Sequence, residues 1–323
     1  MATPVAPVTV VAVSTSSLCV LGDYAWDVLI RTNSELLHGG DTFGEVVLLP
    51  GGSAANVSVW AARAGTSVTF IGKIGRDQMG MLAREELVRE GVEHRLIETD
   101  AHVTGSVAVF VDHTGERSMV SGHGADFYLL PSELPRPSIA SASHLHLTAW
   151  SFFTDPPRSA AREAARIAKN SGATISFDPA SFQMIGDMGV DTFLEVSTDI
   201  GVDVFFPNKE EAAVLTGSSE PETAAKRLSR LFDGALIVLK LDADGALICE
   251  DGSVQRVPPT SNRLVDATGA GDSFAGAFLS RWLKGCDAVE AAGFAVGVAE
   301  WVIEHPGARP NPDAALSAVL ARP

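Results

Sequence analysis

Short β-rich runs alternate with longer alanine-rich amphipathic runs along most of this 323-residue chain. That order is what a parallel sheet with crossover helices produces. The pattern predicts strands at residues 18–21, 67–71, 145–148, 174–177, 204–206, 236–239 and 246–249. It predicts helices at residues 54–64, 79–90, 157–171, 209–215, 221–232, 270–282, 288–304 and 312–321. The fold class is therefore α/β, with a mostly parallel central sheet.

Two segments interrupt this alternation. Residues 42–49 and 105–120 are rich in Val, Phe and Thr, the second with a turn at 112–115, and no good helix lies inside either. They predict a small antiparallel layer inserted into the α/β body, which is a suitable lid. We assign lid strands to about 31–50 and 103–121, one domain to residues 17–323, and a flexible tail to residues 1–16.

Composition excludes several classes of protein. The chain is 46% hydrophobic, which excludes intrinsic disorder, and it carries 24 basic against 40 acidic side chains, a formal charge of −16. A surface that negative repels nucleic acid and anionic membranes, although one site can still be locally positive. Three distant cysteines without a Cys-x-x-Cys pair indicate a reducing cytoplasm. No run of eighteen apolar residues occurs, so we expect no membrane span.

The strongest chemical signal is the sequence DATGAGD at residues 266–272, directly before a predicted amphipathic helix. Glycines allow a tight turn, and the following helix presents unpaired N–H groups and the positive end of its dipole, which together hold an anion. Asp272 would stay ionised there and accept a proton from a hydroxyl beside it. The alternative is that Asp272 only caps the helix.

A second glycine-rich segment, GGSAAN at residues 51–56, opens the first long helix. Its glycines permit close backbone approach to a ligand, and the amide of Asn56 can donate to and accept from substrate hydroxyls. Taken alone, a Gly-Gly pair before a helix is usually just a turn. The segment matches neither the dinucleotide fingerprint nor the P-loop.

Both segments, in this order, resemble the two signature sequences of the ribokinase family of carbohydrate kinases, also called the PfkB family. The resemblance implies a ribokinase-like three-layer α/β/α sandwich and transfer of the γ-phosphate of Mg-ATP to a hydroxyl of a small carbohydrate of the ribose, fructose or ketodeoxygluconate class. It also implies the roles of the matching residues: Gly51, Gly52 and Asn56 for the substrate, Gly269, Ala270 and Gly271 for the phosphate, and Asp272 as the base.

Further matches extend from about residue 17 to about 315. Gly22 and Asp27 resemble an early glycine and a carboxylate that grips the sugar; the alternative for Asp27 is a solvated loop charge. Asn208-Lys209-Glu210-Glu211 resembles the Asn-x-x-Glu motif, which implies that Glu211 holds Mg²⁺ through water, although the quartet is equally a helix start. Asp266 and Thr268 resemble positions near a monovalent cation, which implies activation by potassium.

The residues that bind ATP are expected in the C-terminal third of the chain. Lys240 to Gly245 resembles a strand-turn-strand that lies against ATP in the family, with Asp242 where a glycine is usual. Residues 295–297, Gly307 and Ala308 resemble the small residues that flank the adenine. The cofactor positions implied are Asn208, Glu211, Lys240, Asp242, Gly245 and Gly307.

Several alternatives stay open at this level. A nucleoside kinase on the same fold is the chief one, with Phe127, Tyr128 or Trp26 stacking on the base; Trp26 is equally placed to stack on a sugar or to be a buried loop aromatic. A catalytically silent sugar-binding protein is another. A Gly-Asp-Ser hydrolase with Ser273 as nucleophile fits poorly, because the later Asp-x-x-His that it needs is absent.

Four other polar residues could have a functional role, but each also has a purely structural explanation. His144 and His146 share one face of a strand, and we interpret them as packed histidines rather than metal ligands. Arg117 follows the lid turn, from which it could reach a substrate phosphate, although an exposed arginine is the commoner case in a hairpin. Asp178 ends a strand at the edge where α/β ligands bind, or it caps a turn. An exposed lid edge that pairs with a second chain would give a homodimer.

Overall fold

The computed structural model describes residues 17–111, 117–261 and 263–322. The strands are, in chain order, β1 (Ser17–Leu21), β2 (Ala25–Thr32), β3 (Gly44–Gly51), β4 (Ser67–Gly75), β5 (Glu93–Thr99), β6 (Gly105–Val111), β7 (Arg117–Ser121), β8 (His144–Thr148), β9 (Thr174–Asp178), β10 (Val204–Phe205), β11 (Leu236–Lys240), β12 (Ala246–Glu250) and β13 (Ser253–Val257). The predicted tail at 1–16 and the predicted turn at 112–115 lie outside the described residues.

The helices are α1 (Ser53–Arg63), α2 (Gln78–Arg89), α3 (Arg136–Ala140), α4 (Pro157–Asn170), α5 (Phe182–Met188), α6 (Val190–Thr198), α7 (Lys209–Thr216), α8 (Pro221–Leu231), α9 (Ala270–Trp282), α10 (Ala288–Ile303) and α11 (Ala314–Leu320). All eight predicted helices are confirmed, with ends that agree within two residues. The seven predicted strands are also confirmed, and β4 continues four residues beyond its predicted end.

The central sheet has nine strands in the order β13-β12-β11-β10-β9-β8-β1-β4-β5. The pairs from β11 to β5 are parallel, whereas β12 and β13 are added antiparallel. Its inner strands are buried on both faces, which explains why they read as continuous apolar runs. The strands missed by the prediction, β5 and β13, lie at the edges, where polar side chains interrupt the pattern.

Two hydrophobic cores cover the two faces of this sheet, and β1 contributes to both. Leu18 and Val20 pack into a core shared with α1, α9 and α10, while Cys19 and Leu21 pack into a core shared with α4 and α8. This alternation follows from the two-residue period of a strand. The result is the predicted three-layer α/β/α arrangement.

The lid is a four-stranded sheet in the order β3-β2-β6-β7. The predicted antiparallel pairing is confirmed for β2 with β3 and for β6 with β7, but β2 and β6 pair in parallel. The chain leaves the lid through α1 and the edge of the central sheet before it returns at β6, and such a long crossover is what a parallel pair requires. The lid also begins at Ala25, earlier than the predicted residue 31.

Helices α1 and α9, which carry the two glycine-rich segments, lie in close contact. A Cβ added at Gly276 would approach the carbonyl oxygen of Val57 to 2.6 Å and the amide nitrogen of Ala61 to 2.9 Å. Only glycine permits that backbone approach. The contact brings the start of α9 beside the first turn of α1, although about 220 residues separate the two helices in sequence.

Candidate active site

A pocket of about 300 Å³ lies between the lid and the starts of α1 and α9. Its walls bring together five of the residues predicted for substrate and catalysis, Asp27, Gly52, Asn56, Gly269 and Asp272, together with Thr268 from the predicted cation position. A larger surface depression of about 560 Å³ runs along α4 and contains none of them. Its arginines, Arg162 and Arg166, already pair with Asp199 and Glu163. We therefore take the pocket at the lid as the candidate site.

Asp272 lies in the first turn of α9, at the wall of this pocket. The side-chain amide of Asn56 donates a hydrogen bond of 2.7 Å from Nδ2 to Oδ2 of Asp272. Burial raises the pKa of the Asp272 carboxyl to about 7, with the Asn56 hydrogen bond acting in the opposite direction. A carboxyl with a pKa near neutral pH is well matched to accept a proton from an alcohol.

Arg309 fixes the orientation of the Asn56 side chain through a hydrogen bond. Its Nε donates to Oδ1 of Asn56 at 2.7 Å, its Nη1 to Oε2 of Glu86 at 2.7 Å, and its Nη2 to the carbonyl oxygen of Gly51 at 2.8 Å. A guanidinium only donates, so the amide oxygen of Asn56 must face Arg309 and its NH₂ group must face Asp272. The guanidinium also lies 5.3 Å from the ring of Tyr24. The sequence reasoning missed Arg309 and Glu86.

Asp27 lies on β2 and faces the pocket rather than bulk solvent. Burial raises its pKa to about 6, with Arg309 opposing. Gly51 makes room for this carboxylate, because a Cβ there would lie 2.6 Å from its atoms. Gly52 has a φ of +87°, and a Cβ there would strike the carbonyl oxygen of Asp23 at 2.7 Å. Both glycines are therefore required by close contacts. Gly22 likewise approaches Ala54 on α1.

Two further carboxylates line the pocket and were not predicted. Asp23 accepts hydrogen bonds from the amides of Ser53 at 2.8 Å and Ala54 at 3.2 Å, at the start of α1. Burial raises its pKa, and those same hydrogen bonds oppose the shift. Asp126 follows β7, and its Oδ1 is buried without a hydrogen-bond partner among the described residues. Burial and the neighbouring Asp23 raise the pKa of Asp126 to about 8.

The glycine-rich turn before α9 forms the other end of the site. Gly269 has a φ of +75°, and a Cβ there would lie 2.6 Å from Cα of Ala308. Ala270 and Gly271 follow in the first turn of α9, which has no side-chain cap. A Cβ at Gly271 would lie 3.3 Å from Nζ of Lys240. The turn therefore combines the positive end of a helix dipole with a nearby ammonium group.

Lys240 is buried and donates from Nζ to Oδ2 of Asp178 at 2.6 Å. The other oxygen of Asp178 accepts from the amide of Ala180 at 2.9 Å, so this residue both caps a turn and pairs with the lysine. Glu211 is a buried neighbour of this pair. Its burial raises the pKa to about 7, while Lys240 acts in the opposite direction.

Asn208 and Glu211 form a capping box at the start of α7, in which each side chain accepts a hydrogen bond from the other's amide, at 2.8 and 2.7 Å. The helix-start interpretation of this quartet is thus confirmed. No cluster of three or more His, Cys, Asp or Glu in the described parts of the chain could hold a metal. The oxygen ligands present fit a Mg²⁺ ion that keeps several water ligands and is held mainly by phosphates, rather than one enclosed by side chains.

Asp266 connects the turn before α9 to the Gly307 loop. Its Oδ1 accepts from the amide and hydroxyl of Thr268, at 2.9 and 2.6 Å, and its Oδ2 accepts from the amide of Gly307 at 2.9 Å. Ala308 accepts from Nε1 of Trp60 at 3.0 Å. Residues 295–297 are part of α10 and pack mostly in the core.

The turn after β11 accommodates Asp242 in the left-handed conformation, with a φ of +52°. Aspartate adopts this conformation at a cost on the order of 1 kcal/mol, so the turn keeps a glycine-like path without glycine. Its carboxylate lies 3.1 Å from Nζ of Lys209. Gly245 has a φ of +80°, and a Cβ there would clash with the carbonyl oxygen of Val257 at 2.2 Å. Neither residue lines the 300 Å³ pocket.

Of the aromatic residues, Phe127 and the unpredicted Trp150 line the pocket. Trp26 does not: it is buried and donates from Nε1 to the carbonyl oxygen of Met79 at 3.0 Å. Tyr128 stacks on His102 with 3.5 Å between ring centroids. The stacking roles considered for Trp26 and Tyr128 are therefore wrong for this pocket.

The packed interpretation of His144 and His146 is confirmed, since both are buried and lie 2.7 Å from Oγ of Ser176. Trp60 and Trp301 are buried, and Trp282 is partly buried. Arg117 begins β7, and its side chain is outside the described part. No helix within the described ranges is both long and apolar enough to cross a bilayer.

The pocket thus combines a carboxyl group whose pKa lies near neutral with the start of a helix that has no side-chain cap. A family model described as "pfkB family carbohydrate kinase" matches residues 15–314. The chain belongs to this family, and it is a sugar kinase, a phosphotransferase with a hydroxyl as acceptor.

Individual relatives differ in their acceptors. The chain is 30% identical over 269 residues to a fructokinase of Escherichia coli, with 81% of this chain and 82% of the relative covered. It is 31% identical over 307 residues to an ATP-dependent ribose-1-phosphate kinase of Halopiger xanaduensis, with 93% and 96% covered. The crystal structure of an adenosine kinase from Sinorhizobium meliloti superposes with a TM-score of 0.85 at 25% identity, with 95% and 99% covered.

Proposed function

We propose that the protein transfers the γ-phosphate of Mg-ATP to a hydroxyl of a small carbohydrate, with Asp272 as the general base. The observation that carries this proposal is the position of Asp272, which lines the pocket at the start of the uncapped helix α9 and is held by Asn56. Its raised pKa keeps it able to take the hydroxyl proton and release it near neutral pH.

In this proposal the acceptor lies against Asp27, Gly51, Gly52 and Asn56. The carboxylate of Asp27 accepts hydrogen bonds from sugar hydroxyls, and Gly51 makes room for that carboxylate. Closure of the lid over the acceptor excludes water, which otherwise competes for the phosphoryl group. In this proposal residues 17–323 form one catalytic domain.

The phosphoryl group lies at the turn formed by Gly269, Ala270 and Gly271, whose amides stabilise the charge that develops on transfer. Loss of one such donor costs about 3–4 kcal/mol in well-studied enzymes. Lys240, close to Gly271, adds a positive charge. ATP lies along Asn208, Asp242, Gly245 and Gly307, and Mg²⁺, held by Glu211 through water, shields the phosphates when it is bound.

A monovalent cation is a further part of the proposal. The carboxylate of Asp266 and the hydroxyl of Thr268 join the turn before α9 to the Gly307 loop. A potassium ion near them would stiffen that junction. Turnover should therefore rise when KCl replaces tetramethylammonium chloride at equal ionic strength, and an equal rate in both salts argues against the cation.

A homodimer through the lid is also proposed. The outer face of the lid exposes Val46, Leu48, Phe110 and Val120, an apolar surface that a second copy would cover. Scattering measurements should give twice the mass of one chain, and Val120→Asp should reduce it to one. Three cysteines without a disulfide among the described residues support a cytoplasmic location.

A nucleoside kinase is the second candidate. Phe127 and Trp150 line the pocket, and either ring offers a face on which a base can stack. The related adenosine kinase structure also favours testing it.

The experiment is an ATP-consumption screen over free sugars, nucleosides and sugar phosphates, followed by Asp272→Asn on the best acceptor. Turnover should fall at least about 1,000-fold, because the base is gone, while acceptor affinity stays within about threefold. Asp251→Asn, an exposed aspartate on the β12–β13 turn, is the matched control. Wild-type turnover in the Asp272→Asn variant would falsify the assignment of the base.

A further inference from the structure

We propose that the acceptor pocket is built for an uncharged polyhydroxylated molecule, a free sugar or a ribonucleoside, and rejects phosphorylated acceptors, with Asp126 and Asp23 as the residues that set this selectivity. The inference rests on the proposed function, because it takes the 300 Å³ pocket as the acceptor site.

The first observation is the charge of the pocket wall. Four carboxylates line it, those of Asp23, Asp27, Asp126 and Asp272, and no Lys or Arg is among its described lining residues. The two nearest buried cations are already committed, Arg309 to Glu86 and Lys240 to Asp178. Where these carboxyls are ionised, a phosphate carried by the acceptor would therefore meet like charge on several sides, which disfavours its binding.

The second observation is that the first backbone amides of α1 already have hydrogen-bond acceptors. A helix start is a natural anion site, because its first N–H groups lack partners within the helix. Here the amides of Ser53 and Ala54 are taken by the carboxylate of Asp23. The protein's own anion occupies the place where an acceptor phosphate would otherwise bind.

The third observation concerns Asp126. Its Oδ1 is buried beside the pocket and has no hydrogen-bond partner in the described parts of the chain. A buried acceptor without a donor is costly, and this oxygen lies against Gly105 and Gly124, so a further anion at this wall would meet an already unsatisfied carboxylate. The raised pKa of Asp126, about 8, has the same origin: burial and the nearby Asp23 already disfavour further negative charge at this wall.

These observations assign complementary roles to two parts of the site. Phosphate is accepted at the turn before α9, where the positive end of the helix dipole favours it. Hydroxyls are accepted by the carboxylates on the rest of the pocket wall, Asp27 above all. The ring aromatics Phe127 and Trp150 are compatible with either a sugar or a nucleoside.

The test measures binding by calorimetry without ATP, so that it does not depend on turnover. Three matched pairs are used: fructose and fructose 6-phosphate, ribose and ribose 1-phosphate, and adenosine and its 5′-monophosphate. We expect an unphosphorylated member to bind, with its phosphorylated partner at least about 30-fold weaker. Equal or tighter binding of a phosphorylated member, or no binding by any unphosphorylated one, overturns the inference. Whether fructose, ribose or adenosine binds shows whether the pocket is a sugar site or a nucleoside site.

Asp126→Asn then tests the residue itself, at pH 9, where the wild-type carboxyl is ionised. The ratio between the dissociation constants of the phosphorylated and the unphosphorylated member should fall about tenfold, mainly because the phosphorylated member binds better. Asp251→Asn, which makes the same change outside the pocket, should leave the preference unaltered. An unchanged preference in Asp126→Asn removes Asp126 from the proposal. If the affinities follow these expectations and no acceptor is phosphorylated, the proposed function fails while this inference stands.

Discussion

Helices α1 and α9 open onto the same pocket and begin in the same way, yet their first N–H groups have different fates. Each follows a glycine with positive φ, Gly52 at +87° and Gly269 at +75°. At α1 the amides of Ser53 and Ala54 donate to the Asp23 carboxylate, whereas at α9 the amide of Ala270 donates to the carbonyl oxygen of Ala267 at 3.3 Å and the N-cap Gly269 has no side chain. One helix start is neutralised by the protein, and the other remains suited to an external anion.

The difference shows that a glycine-rich helix start does not by itself define a phosphate site. What decides is the residue that the rest of the fold brings to it. Strand β1 delivers Asp23 to the start of α1, while β11 delivers Lys240 to the start of α9. A carboxylate in one place and an ammonium group in the other give two similar turns opposite electrostatic preferences.

The largest expected effect comes from making the two helix starts alike. Gly271→Asp would place a carboxylate at the start of α9, where a Cβ meets only the flexible end of Lys240 at 3.3 Å. Turnover should fall at least about 100-fold, because the new charge competes with the phosphate. The neutral and similarly sized Gly271→Asn is the control and should retain clearly more activity. Equal losses in both variants would mean that space, not charge, matters at this turn.

The pH dependence of turnover tests the α9 side without a mutation. The base must be ionised to accept a proton, and burial raises the pKa of Asp272 to about 7. Therefore kcat should be constant above pH 8 and fall about tenfold per unit below pH 7. A rate that stays constant down to pH 5 contradicts this prediction.

The same shift has a consequence for stability. Because the folded-state pKa of Asp272 is raised above its ordinary value, its ionised form opposes folding, and the cost is fully present above pH 7. It shrinks as the pH falls from 7 towards 4. The thermal midpoint of Asp272→Asn should therefore exceed that of the wild type at pH 8, and the difference should narrow at pH 5.

A smaller effect is expected from changing Arg309 and Glu86, the residues that orient the Asn56 amide. In the double variant Arg309→Met with Glu86→Gln, the amide of Asn56 is free to turn its oxygen towards Asp272, which raises the pKa of that carboxyl. The midpoint of the kcat profile should move up by about half a unit to one unit.

The matched control is Arg63→Met with Glu90→Gln, which removes another buried arginine–glutamate pair near the C-terminal segment without touching Asn56. Both double variants should lose stability, and only the first should move the pH midpoint. A midpoint that moves in both, or in neither, contradicts a positioning role for Arg309.

The smallest effect is expected from Asp23→Ser. Serine can cap only one of the two amides, so the fold should lose about 1 kcal/mol and discrimination against phosphorylated acceptors should weaken a few-fold. Asp77→Ser is the control, because Asp77 caps α2 through the amide of Gly80, outside the pocket. It should cost similar stability in a melt and leave the acceptor preference unchanged. A preference that weakens equally in both variants would disconnect Asp23 from acceptor choice.

The sequence predicted the inner strands, the long helices and both glycine-rich segments because each is a local pattern. It did not predict β2 as part of the lid or its parallel pairing with β6, since pairing depends on the path of the chain between them. It considered Trp26 as a stacking residue, but the indole turns inwards to Met79. Local patterns specify what a segment can form, and they do not specify which other segment it meets.

The sequence alone determined the fold class, the family signatures and the identity of Asp272 and Asn56 as candidates, because spacing and residue chemistry are properties of one segment. Only the tertiary structure decided that Arg309 orients Asn56 across 253 positions, that Asp23 occupies the start of α1, and that Asp126 faces the same pocket. Electrostatic and hydrogen-bonding partners act over a few ångströms of space, and distance along the chain carries no information about them.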